Sequence, residues 1–143
     1  MILKGVPHVC FKISPDSKLR DGGKLLPYLG SELAGKLDVR IKKKFRVIAL
    51  RSIGVDFRGK NFIIGLLRDR LDANQWYMHI SSMNMDQGLR NFCSNVTEMK
   101  DISVKIHEIL VALSDISCVR WFFREDSVQP KGLASPEELP WGA

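Results

Sequence analysis

The chain has 143 residues, 45% of them apolar, and 22 basic against 16 acidic residues leave a formal charge of +6. That is one ordinary domain with enough apolar content for a single core, so neither a metal nor a disulfide is required to hold it together. No stretch approaches the roughly 18 apolar residues of a membrane span, and Cys10, Cys93 and Cys118 are too widely spaced for a zinc knuckle and odd in number for a disulfide framework.

Val9, Phe11 and Ile13 alternate with His8, Cys10 and Lys12, the period of two of a half-buried strand over residues 7 to 13, and Ser14-Pro15-Asp16 stops it. Residues 14 to 25 are polar around Asp21-Gly22-Gly23-Lys24 and read as a loop. Its glycines and lysine lack the G-x-x-x-x-G-K-[ST] spacing and do not lead from a strand into a helix, so no phosphate loop is assigned. From Pro27 to Lys36, Leu29, Leu33 and Ala34 recur at helical spacing, against the cost of Gly30 and Gly35.

The most informative stretch runs from Leu37 to Ile80. The odd positions from Leu37 to Phe57 are apolar except Lys43 and Arg51, while the even positions up to Arg46 are Asp38, Arg40, Lys42, Lys44 and Arg46. Such an alternation predicts one or two strands of a half-solvated sheet, apolar face inward and basic face outward. Between Leu37 and Asn61 eight basic residues stand against two acidic ones, and outside that window fourteen of each sign cancel. Arg58-Gly59-Lys60-Asn61 and Asp72-Ala73-Asn74-Gln75 are turn chemistry. They separate the basic stretch, the apolar run Phe62 to Leu67, and a run in which Trp76, Met78 and Ile80 alternate with Tyr77, His79 and Ser81. Three runs and two turns predict an antiparallel meander.

Leu89, Phe92, Cys93 and Val96 line one side of a short helix around 86 to 95, against Gly88 and three asparagines. A clearer helix is predicted over 101 to 114, with Asp101 as N-cap and Ile102, Ile106, Ile109, Leu110 and Leu113 on one face; Val104 and Val111 sit opposite and suggest a second contact. Ser117 to Arg124 reads as a final strand with Val119, Trp121 and Phe123 on one face. Prolines and glycines then break every period, so residues 1–125 are expected to form the domain and 126–143 a tail with Leu139 and Trp141 as its only anchors. The sum is an α+β fold, an antiparallel sheet of about five to six strands with the 101–114 helix packed on one face. A ferredoxin-like variant is the nearest alternative, and the strand at 75–82 is surplus to that plan.

His8, His79 and His107 are isolated and show no close metal-ligand spacing, so neither metal nor cofactor is expected. His8 and Cys10 share a strand face, the one thiol and base pairing on offer, although neighbours at i and i+2 are mostly coincidental. Asp69 with Asp72 and Glu137 with Glu138 lie in a turn and a tail, environments that do not push two pKa values apart. Arg58-Gly59-Lys60-Asn61-Phe62 begins like an RNA-recognition strand, but Ile63, Ile64, Gly65 and Leu66 supply no ring to stack on a base. No catalytic residue is assigned.

The basic strand is the strongest functional signal, with Arg40, Lys42, Lys44, Arg46, Arg58 and Lys60 as the expected binding residues. Lysines on an exposed strand also keep an edge from pairing with other chains, so solubility is the competing explanation. A binding face of this sign calls for an acidic protein surface or a polyanion. The first expectation is a small non-catalytic cytosolic interaction domain that binds, and in one form masks or inhibits, a protein partner. The alternatives are a nucleic-acid-backbone binder acting through residues 40–46, and an enzyme whose site is assembled from distant residues such as Cys10, His8, His79 and Asp56. No apolar core of signal-peptide length follows Met1, so a cytoplasmic location without membrane contact is expected.

Overall fold

The computed structural model describes residues 6–19, 23–47, 50–82, 89–123, 132–139 and 141, and for 42–47, 50 and 89–95 it describes the backbone alone. Six strands and two long helices follow in the order β1 (Pro7–Ile13), α1 (Leu25–Lys36), β2 (Val39–Val47), β3 (Leu50–Phe57), β4 (Lys60–Arg68), β5 (Gln75–Ser82), α2 (Leu89–Ala112) and β6 (Ile116–Phe123). The strands form one sheet of order β2-β3-β4-β5-β1-β6, antiparallel at every pairing. The fold is α+β, as the alternating and helical periods predict.

Strands β2 to β5 are a meander, and β1 joins it from the far side by pairing with β5, His8 opposite His79 and Lys12 opposite Gln75. The 75–82 strand, surplus to a ferredoxin-like plan, is the seam on which β1 and β4 both pair. Because β5 and β6 both run antiparallel to β1, they are parallel to each other, and such a connection needs a long crossover, which α2 provides. Helix α1 makes the other crossover, from β1, next to one outer strand, to β2 at the opposite edge.

Both helices lie on the sheet face formed by Val9, Phe11, Ile53, Val55, Phe62, Ile64, Met78, Ile80 and Trp121, and all of these residues are buried in one core. Helix α1 contributes Leu25, Leu26, Leu29 and Leu33, and its glycine at 30 has a packing reason. A Cβ there would meet the Cδ1 atoms of Ile41 and Ile53 at 3.4 Å, so Gly30 is where the helix rests directly on β2 and β3. Burial of the four leucines against the sheet offsets the propensity cost of the helix's two glycines.

Helix α2 is longer than expected. The segments anticipated at 86–95 and 101–114 are joined over Leu89–Ala112, so Asp101 lies inside the helix and is not its N-cap. Its carboxylate instead accepts Arg58 Nη1 at 2.7 Å. Met99, Ile102, Ile106, Ile109 and Leu110 form the buried stripe, and the fully buried Ser103 is satisfied by donating to the Met99 carbonyl at 2.7 Å. Val111 is 54% exposed whereas Val104 is half-buried, so the opposite side of the helix is only partly covered.

The segment 132–141 docks against β6 and α2. Leu133 and Trp121 exchange backbone hydrogen bonds at 2.8 and 2.6 Å, Pro136 and Leu139 are buried, and the Trp141 ring meets Phe123 edge-on at 5.1 Å. Trp121, fully buried, donates its indole N–H to His107 Nδ1 at 3.0 Å, which requires a neutral His107 protonated on Nε2.

Two outcomes are expected. Leu110→Ala should lower stability by about 2–5 kcal/mol in chemical denaturation, whereas Val111→Ala should change it by less than about 0.5 kcal/mol. His107 has its pKa lowered by burial, against the pull of Glu108 and Glu137. The unfolded chain therefore takes up its proton first, so this stabilisation is complete above the unfolded value and is lost as pH falls through the folded one. Denaturation midpoints should drop on acidification below about pH 6.5, and by less in His107→Gln, which keeps an acceptor for Trp121 without the titration.

Candidate functional site

The basic stretch forms the outer strand of the sheet. Among the described residues β2 pairs only with β3, so one side of its nine residues has no neighbouring strand. At its start the expected alternation is present: Val39 is buried, Arg40 exposed and Ile41 half-buried. Between Ile41 and Lys43 the register slips by one residue, a β-bulge. Arg40 stands opposite Asp56, whereas Lys43 is opposite Gly54, Lys44 opposite Ile53 and Arg46 opposite Arg51. One uninterrupted alternation from 37 to 57 is thus not how the backbone is registered, because the bulge absorbs a residue and the strand ends at Val47. The burial expected for Lys42, Lys44, Phe45, Arg46 and Val47 falls on side chains outside the described residues.

Arg58 and Lys60 are drawn elsewhere. Arg58-Gly59 forms the tight β3–β4 turn with φ of 52° and 77°, the left-handed pair that suits a two-residue hairpin. From it Arg58 pairs with Asp101 at 2.7 Å and Lys60 with Glu98 at 2.8 Å, tying the turn to α2. The Lys60 hydrogen bond holds the Glu98 carboxyl below its ordinary pKa. These two cations are engaged by the protein itself.

On the face of the sheet away from the helices, pairing assembles a row that no local pattern announced. Gly65 of β4, His79 of β5, His8 of β1 and Phe122 of β6 are successive register partners. The His79 and His8 rings lie 5.5 Å apart at 29°, and His8 and Phe122 lie 5.4 Å apart at 25°. His8 Nδ1 lies 2.7 Å from the Val6 carbonyl, which orients its ring. His79 leans over β4, where only glycine leaves room: a Cβ on Gly65 would lie 2.2 Å from its Cε1.

The next row carries Tyr77, Cys10 and Arg120. Burial pushes the Cys10 thiol above its ordinary pKa, which disfavours the thiolate a nucleophile needs. Tyr77 is pushed up by burial and by donating to Asp69 at 3.0 Å, while Asp69 is held low first by the Leu71 N–H and then by Tyr77. Of the four residues considered for an assembled enzyme site, His8, His79 and Cys10 share this face on adjacent strands. Asp56 lies on β3, beyond β4. Among the described residues no group of three or more His, Cys, Asp or Glu is placed to hold a metal ion, and no helix is long and apolar enough to cross a membrane.

Comparison of the chain with protein-family models, with curated proteins and with solved structures finds no match. The strand parity of 7–13 and 75–82 placed His8, Tyr77 and His79 on the polar sides of their own strands. Only the pairing of β1 with β5 and β6 brings the rings together.

Gly65→Ala is expected to destabilise the fold by about 1–3 kcal/mol, the usual cost of overpacking. In a double-mutant cycle His79→Ala should recover most of that loss, because the clash is with the imidazole. Equal losses in both backgrounds would mean that the glycine serves the strand rather than the ring.

Proposed function

We propose that this chain is a small non-catalytic interaction domain that binds an acidic surface of a protein partner through strand β2, in the cytoplasm. One observation carries this reading: β2, with five basic residues and no acidic one, is also the outer strand that pairs on one side only among the described residues. The opposite outer strand, β6, is partly covered by the chain's own Leu133. Cations at an open edge repel most other chains and favour a partner of opposite sign, so the same residues serve solubility and selection.

Nucleic-acid binding through the same strand is the second reading, supported by the charge. It asks for several phosphates to be met by cations that share a face, and the register slip after Ile41 divides Arg40 from Lys44 and Arg46. An enzyme at Cys10 and His8 has less support, since burial favours the neutral thiol and Asp56 is remote from the pair.

The double variant Lys42→Glu, Lys44→Glu is expected to keep the parent's circular dichroism and thermal midpoint, because charges on an outer strand seldom carry much stability. Affinity capture followed by mass spectrometry should recover a protein with the parent and lose it with the variant. Mixed-sequence DNA and RNA should bind only weakly at physiological salt. Submicromolar binding of either, abolished by the double variant and falling with a log–log salt slope of about 0.7 to 0.9 per phosphate contact, would transfer the assignment to nucleic acid.

A further inference from the structure

Resting on that reading, we infer that β2 recognises its partner by strand addition: an extended, acidic segment of another protein pairs with the open side of β2 and continues the sheet. Four features of the edge point this way. The first is length. Nine residues, eight of them paired with β3, span roughly 30 Å at about 3.3 Å each, longer than the usual five or six residues of a strand and much longer than the short edges by which proteins avoid pairing.

The second is the contrast between the two edges. Leu133 exchanges backbone hydrogen bonds with Trp121 and so occupies part of β6, whereas the backbone N–H and C=O groups along β2 meet no second strand among the described residues. A peptide backbone satisfies both kinds of group. A phosphodiester offers acceptors only, so it leaves the edge carbonyls unmatched.

The third is the distribution of charge. The bulge between Ile41 and Lys43 puts Arg40 in register with an even-numbered partner's row, Asp56, and Lys44 and Arg46 in register with odd-numbered Ile53 and Arg51. Cations in both rows suit a strand whose carboxylates alternate about the sheet plane. They suit a single flat polyanionic surface less well.

The fourth is the pairing of Arg46 directly opposite Arg51. Like charges at such positions disfavour the hairpin that holds them. Edge protection alone does not call for that pair, because Lys42, Lys43 and Lys44 already supply it. A carboxylate at the neighbouring position of an added strand would offset the repulsion, so the bound sheet is the state in which this pairing is balanced.

The test uses the full chain, isotope-labelled for amide-resolved NMR, and a synthetic nine-residue peptide with blocked ends in which adjacent pairs of glutamates are separated by single valines, so that carboxylates lie on both sides of the strand. Two comparison probes are the same peptide N-methylated at every second residue along one edge, which keeps the charge and removes strand pairing, and a twenty-residue oligothymidylate. The expected result is hydrogen exchange slowed at least tenfold at alternate amides of 39–47 by the unmodified peptide. The N-methylated peptide should bind at least tenfold more weakly, and Lys42→Glu, Lys44→Glu should weaken the unmodified peptide by a similar factor. Arg40→Glu, at an exposed position, repeats the charge test if the double variant does not fold.

Equal binding of both peptides, still lost on charge reversal, would overturn strand addition and leave acidic-protein binding standing. Peptide binding indifferent to charge reversal, or no binding of the unmodified peptide at millimolar concentration, would overturn the inference. Submicromolar binding of the oligothymidylate that protects β2 would overturn both this inference and the protein-partner reading.

Discussion

The insertion of β1 between β5 and β6 is the constraint on which the rest of the molecule depends. Strand β1 is the first of the described strands, yet its partners come from far along the chain, and its two seams join β6 to the meander. Contacts this distant in sequence carry a loop-closure cost before they return any stabilisation. The burial of Val9, Phe11, Met78 and Trp121 beneath the helices offsets it. With β1 in place, β2 to β5 have only one direction in which to grow, and β2 is carried to the outer edge.

The helices follow from the same arrangement. Two parallel connections are required, β1 to β2 and β5 to β6, and both cross the face that holds the core. Gly30 brings α1 against Ile41 and Ile53, while the Arg58–Asp101 and Lys60–Glu98 pairs fasten the β3–β4 turn to α2. These exposed or half-exposed pairs add little stability individually. They divide the basic stretch: its turn cations are held by the protein's own carboxylates, and its strand cations belong to the outer strand.

Charge and topology therefore coincide at one place. The edge that the chain covers with its own segment is apolar, β6 with Trp121 and Phe123, and the edge that it does not cover among the described residues carries the cations. The row of His79, His8 and Phe122 on the face without helices shows a different economy. Rings on neighbouring strands pack on one another, and Gly65 provides the space for the first of them. Their contacts account for the packing of that face and for the glycine at the centre of a strand.

Local pattern was enough to establish an antiparallel sheet of about five to six strands, the helices at both ends of the meander, and the α+β class, because side-chain period reports directly which positions are buried. It located the positive charge as well, since charge is a property of residues and not of their arrangement. It misplaced the boundary at Asp101, where a good cap residue lies inside a continuous helix, because a strong apolar stripe from Met99 to Leu110 outweighs a local end signal. It also ran one alternation through residues 37 to 57, because a bulge leaves no mark in composition when an additional lysine is what the chain inserts.

The sequence by itself determined which segments are extended, which are helical, and which segment is basic. Only the tertiary structure decided that the basic segment is an edge, that Arg58 and Lys60 are paired with α2, and that His8, His79 and Phe122 meet. The physical reason is common to all three. Each depends on which strand lies beside which, and that order is set by the joint burial of residues distant in the chain, a quantity no single window of sequence contains.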